Sequence, residues 1–167
     1  MKKSLALLLL VAACNRSDAP SEQSDGSAPS ASGPEARRPP PESGLRLTGL
    51  YESAAGGQRN QLCMVEKGGE TQFGLIVWGG NLHSCSGAGL AERSGERLSL
   101  RMTGDETCAI EASLKGGNVT LPASLPAGCA YYCGARATLA GATFARAGTT
   151  AADAKKATDI AGDPLCD

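Results

Sequence analysis

An all-β fold, a small antiparallel meander closed as a barrel or sandwich with three disulfides and a short C-terminal helix, is what the sequence predicts. Three features carry that expectation. Short runs alternate apolar and polar residues, glycines recur between the runs, and six cysteines are spread over the same stretch.

The alternation is cleanest in Leu98-Ser99-Leu100-Arg101-Met102 and in Cys108-Ala109-Ile110-Glu111-Ala112-Ser113-Leu114-Lys115, as half-buried antiparallel strands require. Upstream, Leu45, Leu47 and Tyr51 share one face of a first strand. Leu62 and Met64 belong to a second, and Phe73, Leu75 and Val77 to a third. Gly56-Gly57, Gly68-Gly69, Gly79-Gly80, Gly95, Gly104 and Gly116-Gly117 mark the breaks between runs. Such regular spacing favours a sandwich or barrel over packed helices. Arg136 to Arg146 reads as a closing strand on the strength of Leu139, Gly141 and Phe144. Thr149 and Thr150 then cap a helix from Ala151 to Ile160, with Asp153 in its first turn, Lys155 and Lys156 on its wet face, and Gly162 and Pro164 as its stop.

The amino terminus has another character. Met1, Lys2 and Lys3 precede an unbroken apolar run from Leu5 to Ala13, too short to span a bilayer. The run ends in Val11-Ala12-Ala13-Cys14, which resembles the lipobox of bacterial lipoproteins. Small residues expose the backbone to a protease, and the thiol is the nucleophile that takes the lipid. The resemblance implies that residues 1–13 are a signal peptide and that lipidated Cys14 is the membrane anchor. Asn15, in place of a retaining Asp, points to the outer membrane of the cell envelope. From Asn15 to Ser43 there is no Val, Ile, Leu, Met or aromatic residue, while Pro and Ser abound. Residues 14–43 therefore read as a disordered tether, whose flexible span is on the order of 30 Å. Residues 44–167 are the folded domain, of single-domain size.

Charge and cysteine content then exclude function classes. The chain has 16 Lys+Arg against 17 Asp+Glu, without the clustered basic surface that nucleic acid or anionic lipid demands. Membrane attachment rests on the lipid alone. Setting Cys14 aside leaves Cys63, Cys85, Cys108, Cys129, Cys133 and Cys166, an even set suited to three bridges in an oxidising compartment. Their spacing does not choose among the pairings they allow, although Cys166 is placed to pin the tail to the body. Bridges contribute about 2–4 kcal/mol each. That matters in a chain with one Trp, three Tyr and two Phe.

No catalytic constellation is present. His83 is the only histidine, and the hydrolase elbow, the zinc-protease helix and the phosphate loop are all missing. Ser84 and Ser86 flank Cys85, but adjacent strand positions face opposite ways, so pairing either with His83 needs an irregular loop. His83-x-Cys85 and Cys129-x-x-x-Cys133 have the residue types of a Cys3His zinc shell, yet an oxidising compartment turns such thiols into disulfides. Neither metal nor cofactor is expected. Tyr131 and Tyr132 lie between Cys129 and Cys133 on a constrained loop, either as a contact edge or with one ring covering the barrel end and the other resting on Trp78 or Pro126.

Gly49-Leu50-Tyr51, His83-Ser84-Cys85 followed by Gly87 to Ala91, Cys108 opening an alternating strand, and Cys133-Gly134-Ala135 before Gly141 and Phe144 together resemble small β-barrel domains of bacterial lipoproteins, including those found with lysozyme-inhibitor modules. The resemblance implies an antiparallel barrel and, in some relatives, inhibition of c-type lysozyme through a Ser-Gly-x-Gly-Ala-Arg/Lys-Tyr loop. Gly134-Ala135-Arg136 matches a fragment of that loop, with Ala137 where Tyr stands in the inhibitors and Cys133 in place of the preceding polar residue; Ser86-Gly87-Ala88-Gly89 is a second partial echo. Arg136, Tyr131 and Tyr132 are thus the candidate partner contacts, since a guanidinium on a pre-organised loop pairs bidentately with a carboxylate. The expectation is a non-catalytic binding domain for an envelope or lysozyme-like protein. A purely structural lipoprotein and a hydrolase of envelope material are the alternatives.

Overall fold

A computed structural model describes residues 46–55 and 57–167, so Cys14, the run before it, the Pro/Ser-rich stretch and Leu45 lie outside the described residues. Eight strands follow in order: β1 (Gly49–Ala55), β2 (Gln58–Lys67), β3 (Glu70–Trp78), β4 (Ser84–Ser94), β5 (Arg97–Met102), β6 (Ala109–Lys115), β7 (Asn118–Thr120) and β8 (Thr143–Gly148). Each pairs antiparallel with the next and β8 returns to β1, which closes a barrel in meander order. Of the two expected architectures, the barrel is the one formed.

Alternation explains the closure. Tyr51, Leu62, Met64, Phe73, Leu75, Leu98, Leu100, Ile110, Val119 and Phe144 point inward and merge into one buried cluster that fills the barrel. Sequestering each large apolar side chain contributes about 1.5–3 kcal/mol relative to exposure. The β2–β3 and β6–β7 hairpins turn on Gly68-Gly69 and Gly116-Gly117, all with positive φ, the geometry that lets a two-residue loop follow the strand twist.

The barrel's two mouths differ. One carries the tight glycine turns and the entry of the chain. Across the other folds the long β7–β8 connection, residues 121–142, which includes a short 3-10 helix at Ala127–Tyr132. Leu121, Cys129 and Leu139 of this connection join the barrel core, and Leu125, Tyr132 and Ala137 pack against it. It is a plug. Two disulfides fasten it: Cys85–Cys133 to the start of β4, and Cys108–Cys129 to the residue preceding β6.

The third bridge, Cys63–Cys166, holds the tail against the outside wall. There Leu50, Cys63 and Val65, the outward residues of β1 and β2, form a second cluster with Ala154, Ala157 and Cys166. Leu165 rests on β3 at Gly74, where a Cβ would run into the Leu165 carbonyl. Tail and wall are also joined by Thr158 N–H donating to Gln61 Oε1 at 3.2 Å.

Four element boundaries differ from the expectation. The closing strand starts at Thr143 rather than Arg136, because Ala137, Leu139 and Ala142 are apolar in order to plug the mouth. The C-terminal helix, α1, spans Ala151–Ala154 and not Ala151 to Ile160. Thr150 caps it reciprocally with Asp153, as a capping box does, but Ala157 must also turn inward onto the second cluster, and that ends the helix after one turn. Lys155 and Lys156 are exposed beyond its end. Finally, Leu47 and Cys108 are buried but precede their strands.

Candidate contact face at the plugged mouth

The geometry of the plugged mouth begins with its covalent frame. All six cysteines of the described domain are bridged, so none offers a thiolate to a Cys3His shell. Among the described residues no group of three or more His, Cys, Asp or Glu is placed to hold a metal ion, and no helix is long and apolar enough to cross a membrane.

The two tyrosines of the plug separate in role. Tyr132 is half-buried. Its hydroxyl accepts from Asp105 N–H at 2.9 Å and donates to the Thr103 carbonyl at 3.1 Å, which clamps the β5–β6 loop to the plug. Its ring lies over Met102 and Gly87, where a Cβ on Gly87 would meet both. That ring covers the barrel end beside Met102. Tyr131 stands edge-on to it, with ring centroids 5.3 Å apart, and is 79 % exposed. Asp105 is held below its ordinary carboxyl value by hydrogen bonds from the Thr107 hydroxyl and then the Thr107 N–H, so the clamped loop carries a fixed negative charge.

Arg136 is exposed on a turn, not on a strand face. Its carbonyl accepts from Gly80 N–H at 3.0 Å, while Gly134 N–H donates to the Ser84 carbonyl at 2.9 Å. These bonds tie the Gly134-Ala135-Arg136 turn to the β3–β4 loop. His83 lies beside the turn, its Nδ1 next to the place where a Gly134 side chain would be, and its backbone is bonded to Gly79 and Gly80. Cys85, between Ser84 and Ser86, is consumed by its bridge.

One exposed apolar residue of this mouth had no signal in the sequence. Asn81 and Leu82 both take the left-handed conformation, at φ 56° and 61°, and Leu82 is 71 % exposed. A branched residue in that region is unfavourable and is held there by its surroundings. Gly79-Gly80-Asn81 announces a turn, but nothing distinguishes Leu82 from a core leucine. The plug also forms an open cleft of about 600 Å³, walled by small and apolar residues such as Leu125, Pro126, Ala130 and Ala135, together with Cys129 and Cys133. Chemically the mouth offers apolar and aromatic surface, the Arg136 guanidinium, the His83 imidazole, the Asp105 carboxylate and backbone polar groups on a cross-linked frame.

No family model, curated protein or solved structure matches this chain.

Proposed function

We propose that this protein is a lipid-anchored envelope protein whose barrel is a non-catalytic binding domain, with the plugged mouth as its contact face for another protein. The single observation that carries the reading is Tyr131, a large aromatic left 79 % exposed on a segment stapled by two disulfides. Exposed tyrosines on rigid frames are efficient anchors, because little motion is lost when a partner closes over them. The inward-facing side chains fill the barrel, which favours recognition by the outer surface over carriage of a ligand inside. The lipobox-like end at Cys14 and a domain whose cysteines are all paired support an oxidising, membrane-attached setting in the cell envelope, with the outer membrane favoured by Asn15.

Inhibition of a c-type lysozyme is the second reading, favoured by the exposed Gly134-Ala135-Arg136 turn beside the Cys85–Cys133 bridge. Titration of lysozyme with the purified domain tests it. Inhibition that disappears with Arg136→Ala supports it, and full lysozyme activity at micromolar excess rejects it. For the broader reading, the domain is used to capture proteins from envelope extract. A stoichiometric partner lost with Tyr131→Ala but kept with Arg97→Ala on the outer wall is the expected result. Equal capture by both variants, or none by the wild type, contradicts it and leaves a structural role.

A further inference from the structure

The three bridges differ in how far a thiol can approach them. Cys63, Cys85 and Cys108 are fully buried, Cys129 is 2 % exposed and Cys166 is 5 % exposed. Cys129 and Cys133 both stand on the wall of the open cleft, but Cys133 alone of the six is half-buried. Exchange needs a thiolate to reach one sulfur of the pair, so access ranks bridges of otherwise similar chemistry. Cys166 is close to the chain end, but Leu165 N–H bonds the Ala157 carbonyl at 2.9 Å and the Leu165 side chain is seated on Gly74, which keeps that bridge covered.

We infer that Cys85–Cys133 is a redox latch on the contact face. One thiolate of a dithiol reductant enters through the cleft and bonds to Cys133 Sγ, and Cys85 leaves as a thiolate. The reductant's second thiolate then attacks its own sulfur in the mixed disulfide and releases Cys133. Two electrons and two protons pass from the dithiol to the bridge, giving two protein thiols and one oxidised reductant. Cys108–Cys129 still holds the front of the plug, so the barrel stays covered. Tyr132 stays clamped to Asp105 and Thr103, and the stretch after it, from Cys133 to Arg136, is then tied to the barrel by the Gly134–Ser84 and Arg136–Gly80 hydrogen bonds, each worth about 0.5–1.5 kcal/mol net. The order of reduction stands on geometry alone, whereas its effect on binding rests on the contact face proposed above.

The full chain, purified with its bridges intact, is exposed to rising dithiothreitol, quenched with an alkylating reagent and mapped by mass spectrometry. Cys85 and Cys133 are expected to be labelled about tenfold sooner than the other four, with faster amide exchange at Gly80 and Gly134. Labelling first at Cys63 and Cys166, first at Cys108 and Cys129, or at all six together overturns the inference. A Cys85→Ser/Cys133→Ser variant is then compared with Tyr131→Ala for partner capture from envelope extract. Loss in both supports the latch. Loss in Tyr131→Ala alone overturns the latch and spares the contact face, and loss in neither removes the contact face while the order of reduction is judged by labelling.

Discussion

Tyr51 shows how much one residue can be asked to do in a domain poor in aromatics. It is completely buried inside β1, its hydroxyl donates to the Leu47 carbonyl at 2.8 Å, and the Arg146 guanidinium lies 5.3 Å above its ring. Arg146 in turn donates from Nη2 to the Arg46 and Thr48 carbonyls, which fastens the incoming chain to β8. Burial pushes the Tyr51 phenol above its ordinary 10.0, against the opposing pull of Arg146 and Arg93. Because the folded value is raised, Tyr51 contributes stability fully below the unfolded value and loses it as pH climbs through the folded one. Tyr51→Phe strands the Leu47 carbonyl, so urea denaturation at neutral pH should show a loss of about 1–2 kcal/mol. The gap between variant and wild type should then narrow above about pH 10, where the wild type alone carries this ionisation. The inward placement of Tyr51 was legible from its phase with Leu47. Its partner was not, since Arg146 comes from a strand far along the chain, and pairing across the barrel seam leaves no local trace.

At the scale of elements, β5 and β6 were readable because their inner faces are filled by leucine, isoleucine and methionine, which alternate visibly with polar residues. β4, the longest strand, was not readable as one. Its inward positions run Cys85, Gly87, Gly89 and Ala91, small because Tyr132, Met102 and the Arg101 backbone crowd that face. Loss of the apolar beat there is the imprint of the plug, a long-range feature. The reverse error produced an early start for β8, since Ala137 and Leu139 look like strand core but fill the mouth. Gly74 in β3 records a similar approach from outside. Gly74→Ala drives a methyl into the Leu165 carbonyl and should cost about 1–3 kcal/mol, as overpacking does. Hydrogen exchange should locate the damage at the Leu165 amide and not in the β5–β6 hairpin.

Across the whole molecule, composition and alternation foretold a disulfide-stapled β domain, but only closure of the barrel decides which cysteines meet. The bridges span 103, 48 and 21 residues. In the chain-entropy view the longest loop restrains the unfolded state most. Cys63→Ser/Cys166→Ser should therefore lower unfolding free energy by about 1.4 kcal/mol more than Cys108→Ser/Cys129→Ser, as read from denaturant midpoints. The division of labour is spatial. One bridge secures the tail on the wall, and two secure the plug at the mouth, where Tyr131, Leu82 and Arg136 reach solvent.

That concentration of cross-links under exposed side chains is the reason for placing the contact face at the plugged mouth, and site-specific photo-crosslinking tests it most directly. A photoreactive phenylalanine analogue is placed at Tyr131, and in a control chain at Ser99 on the outer wall, and each protein is irradiated in living cells. A discrete adduct of one size from position 131, absent from position 99, is the predicted result. No adduct at 131, or the same adducts from both positions, contradicts a contact face at that mouth.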